Sequence, residues 1–88
     1  SVDDKMMAPD FMPGEQVLVN LSDNKPSPPG VFIVSDGMSH VIRRCVYVPH
    51  SDPARALVTA LDTTIEPYHV KLDKGAIVGR VIAKLEWL

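Results

Sequence analysis

The sequence predicts a mostly β domain, and three observations carry that reading. Apolar residues fall in short runs that alternate with polar ones, the period of a half-buried strand. Turn-forming clusters such as Pro13-Gly14, Asp36-Gly37 and Asp73-Lys74-Gly75 punctuate those runs. Eight prolines in 88 residues leave little room for long helices, because each lacks an N–H and restricts the residue before it.

Taken in order, residues 1–14 read as an irregular lead-in, since Pro9 and Pro13 forbid a long helix there. Pro13-Gly14 turns the chain into a first strand, 15–20, with Val17 and Val19 on one face and Leu18 on the other. Residues 21–29 are loop, because three prolines in four positions cannot pair in a sheet. Residues 30–35 form a second strand, apolar on both faces and therefore central. Asp36-Gly37 predicts a tight two-residue hairpin turn. A third strand runs over about 38–48, with Val41, Arg43, Cys45 and Tyr47 on one face and His40, Ile42, Arg44, Val46 and Val48 on the other.

The prolines at 49 and 53 break that strand. Residues 55–61 suit either a short helix or a strand by periodicity alone. Residues 65–71 read as extended, and 73–75 as a turn. A long closing strand follows over 76–87. In it Ile77, Gly79, Val81, Ala83, Leu85 and Trp87 form an uncharged set, expected to be the buried face, against Val78, Arg80, Ile82, Lys84 and Glu86.

The length fits one small domain over residues 1–88. The abrupt start, Ser1-Val2-Asp3-Asp4, reads as a domain cut from a longer chain. A formal net charge of -2 with no basic block lacks the electrostatic footprint of a nucleic-acid binder. Cys45 is the single cysteine, so no internal disulfide forms and a reducing, cytoplasmic setting is expected. His40, His50 and His69 share no ligand spacing with Cys45, so neither a metal nor a cofactor is expected. No apolar run approaches membrane-spanning length and no signal peptide is visible, so no membrane partner is expected.

Met7-Ala8-Pro9, then Pro13-Gly14-Glu15, then an alternating strand, resembles the nucleophile segment of the LexA-like self-cleaving repressor peptidases. That family's pattern runs Gly-Asp-Ser-Met-x-Pro, then Pro-Gly-Asp, at the same spacing. The resemblance continues in order through the Gly30–Val34 hairpin strand, the basic pair Arg43-Arg44 and the closing segment Ile77–Ile82, and so covers nearly the whole chain. It implies a LexA/signal-peptidase-like β-fold of short, twisted antiparallel sheets, with a cleft lined by Met7, Pro9 and Phe11. It also implies the C-terminal regulatory domain of a phage-type repressor, behind a helix-turn-helix DNA-binding domain outside this sequence. Homodimers or higher oligomers are expected through the C-terminal part, with Val81, Ala83, Leu85 and Trp87 at the interface.

The family cuts its own linker with a serine activated by a neutral lysine. Here Met6 stands at the serine position and Arg43 at the lysine position. A thioether has no proton to lose, and a guanidinium stays protonated at ordinary pH. No lysine occurs between Lys25 and Lys71, so a shifted alignment does not restore the pair. A non-catalytic domain is expected, whose induction would need another route, such as an antirepressor protein. Two alternatives stand beside it. One is a rewired peptidase with Lys5 as base and Ser39 or Ser35 as nucleophile. The other is a pseudo-peptidase that binds extended peptides in the vacated cleft.

Overall fold

A computed structural model describes residues 15–85. Six antiparallel strands form one sheet: β1 Gln16–Asn20, β2 Gly30–Ser35, β3 His40–Tyr47, β4 Arg55–Thr59, β5 Tyr68–Lys71 and β6 Ile77–Leu85, in the order β1-β6-β2-β3-β4-β5. The mostly β expectation holds, and the several short sheets expected are joined as one. The ambiguous 55–61 run is a strand because Ala56 and Val58 fill the core from between β3 and β5. One 3-10 turn, Leu72–Lys74, follows β5 and is closed by Gly75 in the left-handed region at φ 68°.

The closing strand is not an edge. Ile77–Arg80 pairs with β2 on one side, while Arg80–Leu85 pairs with β1 on the other. Its expected face alternation also fails, because two bulges interrupt it. Gly79 lies opposite Ile33 but Ile77 lies opposite Val34, leaving Val78 extra; Ala83 lies opposite Leu18 but Val81 lies opposite Val19, leaving Ile82 extra. Each bulge reverses which parity faces the core. Ile77 therefore sits on the Phe32 and Val34 face while Gly79 sits on the Ile33 face. Ala83 and Leu85 end exposed, with half-buried Val81 on the opposite side from them.

The bulges also raise the twist, and the sheet curls. Val17 on β1 packs against Ile42 on β3 although β6 and β2 lie between them in the sheet. That face holds a small cluster of Ile42 with Val17, Val31, Ile33 and Ala60. The main core lies on the other face and comprises Phe32, Val34, Cys45, Ala56, Val58 and Ile77. Complete burial of Phe32, Val34 and Val58 contributes about 1.5–3 kcal/mol each. Gly79 is obligatory at the seam: a Cβ there would lie 2.7 Å from the Asn20 carbonyl oxygen and 2.8 Å from Val19 Cγ1.

The hairpin between β2 and β3 turns one residue later than Asp36-Gly37 predicts. Beyond the Ser35–His40 pair the Asp36 N–H donates to the Ser39 carbonyl at 3.0 Å, which leaves Gly37 and Met38 at the tip. Asp36 Oδ1 accepts the backbone N–H groups of Met38 at 2.9 Å and Ser39 at 2.8 Å. That side chain replaces the carbonyl acceptor of a tighter turn.

Arg80 fastens the proline-rich loop to the sheet. Its Nε donates to Asp23 Oδ2 at 2.6 Å, and its Nη2 donates to the carbonyls of Pro28 at 2.8 Å and Lys25 at 3.3 Å. The guanidinium lies over the Phe32 ring, 4.5 Å from its centroid. A Cβ on Gly30 would collide with Arg80 Nη1, so that glycine makes the space for the stack.

Replacing Arg80 with Met is expected to lower the unfolding free energy by about 2–3 kcal/mol, since it leaves a carboxylate and two carbonyls without their donor. Arg80→Lys should recover less than half of that loss, because an ammonium cannot fork to Asp23 and the loop carbonyls together. Urea unfolding followed by circular dichroism measures both.

Candidate functional site

Of the two positions matched to the catalytic pair, Met6 and Arg43, Arg43 lies among the described residues. It sits mid-β3, opposite Phe32, on the main core face beside Cys45. Only 8% of it is exposed. Its Nη1 donates to the Ile42 carbonyl at 2.7 Å. A permanently charged group is rarely buried unless its donors are engaged. Arg43 is thus a structural cation of the core face, and its chemistry provides a donor, never a proton acceptor.

Tyr68, at the start of β5, lies on the same face through the Val58 pairing. Burial pushes its phenol above the usual range, the Arg43 guanidinium pulls it back down, and Asp36 and Cys45 push it further up. Asp36 itself is held below the usual carboxylate range by the N–H groups of Met38 and Ser39. Asp62 is lowered in the same way by the hydroxyl and N–H of Thr64.

The serines weighed as replacement nucleophiles do not converge on Arg43. Ser39 is exposed in the hairpin loop, its hydroxyl within 3.4 Å of Asp36 Oδ2. Ser35 ends β2, and its N–H donates to Ala76 at 2.8 Å. Lys84 pairs with Glu15 at 3.4 Å on the β1 end of the sheet. Met6, Met7, Pro9, Phe11 and Trp87, together with Lys5, lie outside the described residues.

Cys45 is fully buried, and burial pushes its thiol up to about 11. It behaves as a small apolar core residue, as its Val46 and Tyr47 neighbours suggest. Among the described residues no cluster of three or more His, Cys, Asp or Glu side chains is placed to hold a metal ion.

Sequence reasoning missed one concavity. Pro26, Tyr47, Ala54 and Leu72 form the apolar lining of a cavity of about 500 Å³, rimmed by Asn24, Lys25, Ser27 and Asp73. Pro26 is pinned there by a strand-like hydrogen bond, its carbonyl accepting the Tyr47 N–H at 3.1 Å. The sequence signal for this was slight: one proline of a loop must turn inward for the loop to lie against a sheet. The size suits a single large apolar side chain or a small organic molecule.

No family model matches the chain, and no curated protein or solved structure matches it significantly. No helix of the described residues is long and apolar enough to cross a membrane.

Two outcomes follow from these environments. Native protein should leave Cys45 unmodified by a thiol-reactive disulfide at pH 8, with stoichiometric reaction on unfolding; rapid native reaction would contradict its burial. The folded thiol ionises later than the unfolded one, so this group's contribution to stability is full below pH 9 and declines as pH rises from 9 to about 11. Thermal melts across that interval check the sign.

Proposed function

We propose that this chain is a non-catalytic regulatory and oligomerisation domain of a phage-type transcriptional repressor. The observation that carries the reading is Arg43, buried in the core face at the position where the resembled peptidases keep their general-base lysine. A domain that fills that position with a fixed cation has given up proton abstraction there while retaining the strand that presented it. The rewired peptidase reading finds less support at Ser39, whose hydroxyl lies within 3.4 Å of Asp36 Oδ2 in the hairpin loop.

Self-association is supported by an apolar strip at the β1–β6 end of the sheet. Leu18 is 51% exposed, Ile82 55% and Leu85 44%, and Ala83 lies exposed between them. Leu18 and Ala83 are directly opposed across the ladder. Exposed apolar groups gathered at one sheet end suit a two-fold contact between copies. Of the interface residues the sequence suggests, Ala83 and Leu85 belong to this strip, and Val81 backs it from the other face. In a full-length repressor such a contact would hold two DNA-reading domains at two half-sites and raise affinity through effective concentration. An antirepressor acting on this domain would supply induction without self-cleavage.

Sedimentation equilibrium over a micromolar concentration series should show a dimer or larger assembly. Leu85→Glu with Ile82→Glu should shift it to monomer while leaving the circular dichroism spectrum unchanged. A wild-type monomer throughout would remove the oligomerisation reading. Intact mass after prolonged incubation at alkaline pH should remain that of the uncut chain, and the appearance of fragments in purified protein would favour the peptidase.

A further inference from the structure

The folded sheet assembles a charge pattern that the linear sequence hides. Strands β3, β4 and β5 carry Arg43, Arg44, Arg55 and Lys71, and no Asp or Glu at all. Four of the nine basic residues thus lie on three adjacent strands that hold none of the eleven acidic ones. Arg55 and Lys71 are directly opposed in the β4–β5 ladder, a like-charge pairing that costs stability unless an anion lies against it. His69 follows on the same face, two residues from Lys71, and Arg44 lies on that face through its pairing with Thr59. Half-buried Val46 and Leu57 sit between these cations. The side chains of Arg44, Arg55, His69 and Lys71 form no ion pair among the described residues, including with nearby Asp52 and Glu66.

The same strand ends the sheet. β5 pairs only with β4 among the described residues. The Leu72 N–H points inward to the Ala54 carbonyl at 2.9 Å. By alternation the N–H and C=O groups of Val70 also point inward, whereas the N–H and C=O of His69 and the N–H of Lys71 point away from the sheet, the Lys71 carbonyl being taken up by the 3-10 turn that follows. The open donors and acceptors therefore belong to the residues whose side chains are basic.

We propose that the open edge of β5 accepts an additional strand from an acidic, extended segment of a partner protein, whose carboxylates lie against Arg55, His69 and Lys71. Strand addition supplies backbone hydrogen bonds at His69 and Lys71, and alternate side chains of the added strand reach the basic face. An acidic partner relieves the Arg55–Lys71 opposition, and alternating apolar residues in it suit Val46 and Leu57. The face carries no Phe, Tyr or Trp side chain on which a base would stack, and this favours a polypeptide over a nucleic acid as the anionic occupant.

The test uses three short synthetic peptides: one alternating Glu and Val, one alternating Lys and Val, and the first with alternate backbone amides N-methylated. Binding is followed on the intact chain by calorimetry and amide hydrogen exchange. The acidic peptide should bind, protect the His69 and Lys71 amides and weaken with salt. The basic and N-methylated peptides should each bind at least roughly tenfold more weakly. Arg55→Gln with Lys71→Gln should cost a similar factor, with unchanged amide shifts in β1 and β6 showing that the fold is kept. No binding of the acidic peptide, equal binding of the N-methylated one, protection mapped elsewhere, or tighter binding of a short DNA duplex would each overturn the proposal.

Discussion

The arrangement of Arg80 over Phe32 is the constraint on which much of the sheet depends. One guanidinium engages Asp23, the carbonyls of Lys25 and Pro28, and an aromatic face of the core. Prolines contribute carbonyls but no N–H groups, so a loop with three of them presents acceptors that something else must satisfy. Arg80 supplies those donors from the middle of the sheet, where β6 passes from pairing with β2 to pairing with β1. The same residue thus fixes the loop, the aromatic core and the seam between two parts of the sheet. Gly30 and Gly79 fall beside it because close approach leaves no room for a Cβ at either position.

Two cations of the same strand system illustrate how differently a charge is accommodated. Arg80 is part-buried but paired with a carboxylate at 2.6 Å, so its charge is neutralised locally. Arg43 is more deeply placed, and a backbone carbonyl is among its acceptors. Its influence extends to Tyr68, whose phenol feels both desolvation and the neighbouring positive charge. A lysine in that environment would be driven toward its neutral form, the state a general base requires, whereas arginine keeps its proton.

Local signals located most strands, because alternation, proline and glycine act over a few residues. β2 and the face assignment of β3 needed nothing further. The sequence could not disclose the two bulges in β6, since an extra residue is defined only against a partner strand. Once Val78 and Ile82 drop out of the count, the uncharged set Ile77, Gly79, Val81, Ala83, Leu85 no longer shares a face. The hairpin tip falls one residue later than Asp36-Gly37 suggests, because the Asp36 carboxylate takes the N–H groups of Met38 and Ser39. Of the candidate site, Arg43 and its strand were legible, while the cavity beside Tyr47 and the basic group on β3–β5 were not. Both are assembled from residues distant in sequence, and no run of like charge announced the second.

The position of β6 has a consequence for how the chain is made. The last described strand to be synthesised is the one that lies between β1 and β2, and it must bring Leu85 opposite Gln16. Strands β2 to β5 need only near neighbours and can pair as they emerge from the ribosome. β1 has no place in the sheet until β6 arrives, so the earliest described strand waits for the latest. Such long-range closure is slow relative to hairpin formation, because the chain entropy must be lost before the contact rewards it. A chain that ends before residue 77 therefore offers partners for β2 to β5 only and leaves β1, the earliest described strand, unpaired in solvent, a natural point for chaperone engagement.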